Sequence, residues 1–299
     1  MSAVNDTKFK SAVFLLTGIP GQEEVQNLWI SIPFCLMYVI SIVGNSLILF
    51  IIKTDQNLGL SIATIPTILG IFWFNSKEID FSACLTQLYF YHCFSVMESG
   101  IFVAMALDRY VAICYPLRYS TILTNSVMAN IGLAIMLRSG LLALPFPLLV
   151  RQWPYCRTNI IPQPYCAHMA VVKLACADTS VSSYYGLFVV FCVIGLDVIF
   201  IALSYTQILR AIFSLPTKDA RSKTFGTCIS HLCVILAFYI PSLFFSLMYR
   251  FVQNVPLHFH ILIANVYLLM PPVLNPIIYG VRTKQIRDRL LRLLTHKGT

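Results

Sequence analysis

The chain has 299 residues, 58% of them hydrophobic and only 11% charged, with a mean hydropathy of +0.77 and a net charge of +9. Soluble globular chains carry roughly 25% charged residues, so this composition cannot surround a core with a water-facing shell. It also excludes disordered, coiled-coil, collagen-like and small disulfide-framework chains and leaves a polytopic membrane protein. The basic residues alternate with apolar stretches, which fits cytoplasmic loops and speaks against a nucleic-acid partner.

A helix needs about 20 apolar residues to cross about 30 Å of hydrocarbon. Runs of that kind occur at Leu28–Ile52, Leu58–Phe74, Leu85–Leu107, Val127–Val150, Tyr184–Phe213, Ile229–Tyr249 and Ile261–Val281. The expected fold is an all-α membrane protein, a seven-transmembrane helix bundle forming one domain over residues 1–299. Residues 1–27 precede the bundle, and residues 282–299 follow it as a tail with Ile286, Leu290, Leu293 and Leu294 on one apolar face. With the N-terminus outside, the cytoplasmic side carries thirteen Lys and Arg against four acids, and the outer side seven against six. That asymmetry sets the orientation. The sequon Asn5-Asp6-Thr7 then lies outside, as N-glycosylation requires. The N-terminus lacks the pattern of a cleaved signal, so the first span is expected to act as the anchor. Cys84, Cys156, Cys166 and Cys176 fall in outer segments, where disulfides form, and allow three connectivities.

Three segments carry chemistry. The run Met105-Ala106-Leu107-Asp108-Arg109-Tyr110-Val111-Ala112-Ile113-Cys114 places an acid beside a base at the inner end of the third span. Lys223 to His231 opens the sixth span with Thr227-Cys228-Ile229-Ser230-His231, and Asn275-Pro276-Ile277-Ile278-Tyr279 closes the seventh. Near the outer ends, Ser246 and Arg250 are one helical turn apart and share a face. His92 lies about 25 Å above Arg109 along the third span, and His168 follows Cys166 by two residues. Arg250 offers a planar fork suited to a carboxylate, with Ser246, His92 and His168 around it. Pairing of Arg250 with Asp178 or a lipid phosphate is the competing reading. Glu98 and Asp197 lie inside spans, where acids are functional candidates by default. Glu98 is open to an ion, water or a proton, and Asp197 to a partner such as Arg138. His258 and His260, two apart in a loop, do not make a metal site, and no cofactor is implied.

These motifs, together with Phe14-Leu15-Leu16-Thr17-Gly18-Ile19-Pro20-Gly21 and Leu174-Ala175-Cys176-Ala177-Asp178-Thr179, closely resemble the odorant (olfactory) receptors of the rhodopsin-like superfamily, in their class I branch. The resemblance implies a multi-pass plasma-membrane receptor and not an enzyme. It implies a small-molecule odorant as ligand, a stimulatory heterotrimeric G protein as partner and contact with membrane lipid. It pairs Cys84 with Cys166 and Cys156 with Cys176, making the second outer loop a lid. It also makes Asp108, Arg109, Tyr110, Tyr205, His231, Asn275, Pro276 and Tyr279 a switch: Arg109 leaves Asp108 for inner hydroxyls such as Tyr205 and Tyr279 when the sixth helix swings outward.

One stretch departs from that family. Its members continue through a His-Glu-Pro-Met-Tyr block and a Leu-rich half-helix ending in Asp, whereas Lys53-Thr54-Asp55-Gln56-Asn57-Leu58 runs straight into Gly59-Leu60-Ser61. A deletion of roughly fifteen residues truncates the second helix to about the minimum for crossing, with Pro66 inside it. The missing Asp would have joined Asn45, Glu98 and Asn275 in an inner polar cluster. A signalling-incompetent variant is therefore the alternative function, with a small-solute transporter behind it, although no inverted repeat favours transport.

Overall fold

The computed structural model describes residues 13–16, 78–155, 159–161, 163 and 165–251. Within them, four helices are long and apolar enough to cross a membrane: Phe81–Cys114, Asn125–Gln152, Ser180–Phe213 and Lys218–Met248. These are the third to sixth expected spans, each longer than its apolar run. Hydropathy marks only the hydrocarbon-embedded stretch, while the hydrogen-bonded helix continues through the interfaces. The expected spans Leu28–Ile52, Leu58–Phe74 and Ile261–Val281, the tail helix, Asn5, Asn45, Cys156, Asn275, Pro276 and Tyr279 lie outside the described residues.

In chain order the elements are β1 (Val13–Leu16), β2 (Glu78–Asp80), α1 (Phe81–Cys114), a 3-10 turn (Pro116–Arg118), α2 (Tyr119–Ile122), α3 (Asn125–Ala143) and α4 (Pro145–Gln152). They continue with β3 (Ile160–Ile161), α5 (His168–Val172), α6 (Ser180–Val190), a π-helical turn (Phe191–Gly195), α7 (Leu196–Phe213) and α8 (Lys218–Phe251). Helix α1 spans 34 residues, about 51 Å at 1.5 Å per residue. It is the central rod, packed most extensively on α7 and α3, with Phe102 buried against Phe238 of α8 at 5.3 Å between ring centroids. The opposite faces expose Leu137, Leu141, Phe188, Phe191 and Phe200, as lipid contact requires.

Local chemistry sets the breaks. Thr124 caps α3 by accepting the Val127 amide at 3.3 Å. Pro145 and Pro147 lack amide hydrogens, so the helix interrupts at Leu144. There the Tyr185 hydroxyl donates to the Leu142 carbonyl at 2.8 Å, the kind of re-satisfaction that a membrane demands.

One small feature is added to the helical framework. A three-stranded sheet, in order β2-β1-β3, lies at the outer end. Strand β1 runs antiparallel to β2, with Phe14 opposite Ile79, and parallel to β3, with Leu15 opposite Ile160. Strands of two to four residues are too short to show alternation, and their pairing is entirely non-local. Packing supplies what periodicity does not: Phe14 and Leu16 are fully buried, and the Phe14 ring meets Tyr155 edge-on at 5.5 Å and Phe81 at 5.6 Å. The Cys84–Cys166 disulfide, with Cα atoms 5.5 Å apart, ties the outer end of α1 to the loop between α4 and α6. Beside it, Gln87 accepts the Cys166 amide at 2.9 Å. Cys176 is also disulfide-bonded, while its expected partner Cys156 lies outside the described residues.

Candidate ligand-binding site and inner switch

Beneath that disulfide, α1, α4, α5, α6 and α8 enclose a cavity of about 100 Å³. His92, His168, Ser246 and Arg250, proposed from sequence spacing as a ligand set, all line it. Its remaining wall is largely apolar, including Val96, Phe146, Val189, Val193, Phe238 and Phe245. The His92 ring stacks on Phe146 at 3.8 Å between centroids, 9° from parallel, and meets His168 edge-on at 6.1 Å. His168 is carried into place by the Cys166 tether and begins α5. Arg250 folds back along α8, its Nη1 donating to the Ser246 carbonyl at 2.9 Å.

Among the described residues, four polar atoms on His92, His168 and Arg250 around this cavity lack partners. Nε2 of His92, both ring nitrogens of His168 and Nε of Arg250 are buried without a hydrogen bond. Burial, followed by the nearby His92 and Arg250, holds the His168 imidazole well below its usual range, so it is neutral at pH 7. Burial and Arg250 likewise lower Lys173 at the C-terminal end of α5. The alternative ion pair between Arg250 and Asp178 does not form. Asp178 instead accepts both the hydroxyl and the amide of Ser180, at 2.5 and 2.9 Å, and these bonds hold its carboxyl below the usual carboxylate range.

One layer deeper the situation reverses. Arg138 of α3 meets Asp197 of α7 through two hydrogen bonds, 2.9 and 2.6 Å long. Ser99 of α1 donates to Asp197 at 2.6 Å and is 2.6 Å from the Tyr239 hydroxyl of α8. Four helices thus share one network around a carboxylate only 2% exposed. The bidentate fork is the strong geometry for such a pair. Glu98, also buried, lies within electrostatic range of the same Tyr239. Ser99 and Phe238 line the cavity floor, so the network begins where the cavity ends.

At the inner end of α1, Arg109 Nε is 3.4 Å from Asp108, and the Tyr119 hydroxyl of α2 donates to the other Asp108 oxygen at 2.6 Å. That bond, with the Asp108 charge, raises the Tyr119 hydroxyl above its usual pKa and keeps it protonated. His231 is buried within electrostatic range of Arg109 and Asp108. Tyr205 is buried in α7, and the Tyr110 hydroxyl is 3.4 Å from that of Tyr115. The acid–base pair and its neighbours are therefore brought together, with Tyr119 an added partner that the sequence reading did not single out.

Several further residues escaped that reading. Ser99 follows Glu98 directly, and Tyr239 stands two helical turns from Ser246 on the face that carries Arg250. An intramembrane arginine must find an acid, so Arg138 already pointed to Asp197. Gly186 and Phe146 gave no signal, because a helical glycine or an aromatic is ordinary in an apolar span.

Comparison with known proteins gives a consistent result. The family model for olfactory receptors matches residues 34–297. Human olfactory receptor 52R1 is 53% identical over 295 residues, covering 93% of each chain. Human olfactory receptor 52N4 is 48% identical over 312 positions, covering 99% of this chain and 97% of its own length. Human olfactory receptor 52A5 is 48% identical over 314 positions, with 99% of each chain covered. The latter two alignments are longer than this 299-residue chain, so both relatives contain residues that it lacks. The chain belongs to the olfactory receptor family, in its class I branch, and is a multi-pass plasma-membrane receptor and not an enzyme.

Proposed function

We propose that this receptor detects short-chain carboxylic acids in the cavity under the Cys84–Cys166 disulfide and signals to a stimulatory heterotrimeric G protein. Odorant detection through G-protein signalling follows from the family; the acid and the stimulatory subtype are the finer reading. The observation that carries it is the set of buried, unpartnered nitrogens on His92, His168 and Arg250 around one largely apolar cavity. A buried polar group without a partner costs about 1–3 kcal/mol, so leaving several in one place makes sense where a ligand completes them. A carboxylate supplies acceptors for the Arg250 fork, and the ring N–H groups of His92 and His168 can donate to it. Ser246 can donate as well, and a short alkyl tail fits Val96, Val189 and Phe245.

The relay runs downward. Ligand against the cavity floor biases Ser99 and Tyr239, and through them the α1–α8 contact. Outward movement of α8 at its inner end then frees Arg109 from Asp108, and lipid-facing basic residues support the G-protein surface. Asn275, Pro276 and Tyr279 complete this switch, and Asn45 belongs with Glu98 to the polar cluster within the membrane. The test is a cyclic-AMP reporter assay with straight-chain C3–C9 acids and the matching primary alcohols, run on the receptor and on Arg250→Ala. Acids should activate the receptor and lose at least about tenfold in potency with Arg250→Ala. Equal potency on both would overturn the acid anchor.

A second reading has its own support. The alignments longer than this chain agree with a deletion after Lys53, and a shortened second helix would leave the receptor poorly packed and silent. Restoring about fifteen residues there should raise surface expression and signalling; unchanged values would exclude this reading. Family membership leaves the transporter alternative without support.

A further inference from the structure

We propose that Gly186 is the seat of the Arg250 guanidinium and thereby a positioning residue for anion selectivity; this rests on the carboxylate reading of the cavity. Gly186 lies in α6 and lines the cavity opposite α8. A Cβ built on it would overlap Nη2 of Arg250 and come within 3.3 and 3.4 Å of the His168 ring. The backbone there is ordinary helix, so space is the reason for glycine and not an unusual φ. Four other helical glycines face nothing of the kind. Gly132 and Gly195 have open space, Gly140 meets only the Tyr89 hydroxyl, and Gly100 meets the Ile135 side chain.

The three nitrogens of the guanidinium differ in their surroundings. Nη1 is held by the Ser246 carbonyl, Nη2 rests in the notch at Gly186, and Nε is buried without a partner. Any side chain at 186 pushes Nη2 away. Because Nη2 is the far end of a long side chain, the guanidinium yields and the helix packing does not. The expected consequence is a loss of anion recognition with the bundle intact. A lysine at 250 has one terminal nitrogen and no second branch to fill the notch. Gly186→Ala should therefore matter with arginine at 250 and not with lysine.

The experiment uses the full-length receptor with Gly186→Ala, Arg250→Lys and the double variant. In the reporter assay, Gly186→Ala should raise the EC50 of the best C3–C9 acid at least about tenfold. Primary-alcohol potency should fall several-fold less than acid potency, and surface expression should stay at the parent level. On the Arg250→Lys background the same change should cost no further potency. A second measurement needs no ligand. Phenylglyoxal modification of Arg250 in purified receptor, read by mass spectrometry against Arg151, should rise several-fold in Gly186→Ala. If labelling rises and no acid activates the parent receptor, the seat stands and the carboxylate reading falls. Unchanged labelling, an equal loss for acids and alcohols, or independent effects of the two substitutions would each overturn the seat. If Gly186→Ala alone fails to reach the surface, recovery in the double variant supports the clash with Nη2, and failure of both overturns it.

Discussion

Two polar layers lie on the same helices and follow opposite rules. In the outer cavity, His92, His168 and Arg250 keep buried nitrogens without partners. One layer inward, Ser99, Arg138, Asp197 and Tyr239 satisfy one another. Both layers stand where unpaired polarity is expensive. The inner layer has met that cost within the chain and holds four helices together. The outer layer has left it unmet, which makes it soft, replaceable and fit for a visiting molecule. Structural and functional polarity are thus distinguished by satisfaction, not by residue type.

The largest effect should come from the disulfide above the outer layer. The Cys84–Cys166 bond closes an 82-residue separation, for which chain entropy alone predicts about 4–5 kcal/mol. Cys84→Ser should abolish surface expression, measured by antibody staining of intact cells. Normal staining would show that the sheet and α5 hold the lid unaided.

Next comes the satisfied layer. Asp197→Ala leaves Arg138 without its anion; because the Arg138 side chain is 35% exposed, the cost falls below about 3–5 kcal/mol, the range for breaking a fully buried pair from one side. Purified receptor should lose thermal stability and Tyr239 its anchor through Ser99. The double variant Asp197→Leu with Arg138→Met should recover much of the stability but not the signalling. Recovery of both would reduce the network to packing. Phe14→Ala, which empties a fully buried ring site between Phe81 and Tyr155, should cost about 3 kcal/mol and loosen the lid without touching the network.

The contrast also explains what could be read from sequence. Apolar runs gave the four described spans, because hydrocarbon thickness is a strong length constraint. Ser246, Arg250, His92 and His168 were legible because helical rise and the position of Cys166 bring them to one height. The sheet was not, since Phe14, Ile79 and Ile160 come together only after folding. The difference between the two layers was legible only in part: Arg138 within a span already pointed to Asp197, whereas the unpartnered nitrogens around Arg250 show only in the fold, where the neighbours come from other elements. Tyr119 and Gly186 were invisible for the same reason, their meaning lying entirely in a neighbour from another element.

A substitution in the unsatisfied layer should behave in the opposite way to Asp197→Ala. His168→Phe removes two unpartnered nitrogens while keeping an aromatic ring beside Phe146, 4.8 Å away. Thermal stability should change by less than about 1 kcal/mol or rise, while acid potency falls. A large loss of stability would mean that His168 belongs to the structural class after all.

The smallest effect is a pH dependence, and its sign separates the layers. An unfolded chain titrates its imidazoles near about pH 6.5. In the folded receptor, burial, then His92 and Arg250, hold His168 well below that value. Between the two values the unfolded state binds more protons, so the stability contributed by neutral His168 is complete above about pH 6.5 and is lost as pH falls toward its folded value. Asp178, whose carboxyl is held below its usual range, contributes stability that is fully present above about pH 4 and is lost only below it, which leaves the window clear. The melting temperature of purified receptor should therefore fall from pH 7 to pH 5, and His168→Phe should flatten that fall. Saturating hexanoate should flatten it too, because a carboxylate facing the imidazole favours its protonated form and offsets the burial that disfavours it. Identical slopes with and without hexanoate would place the anion away from His168.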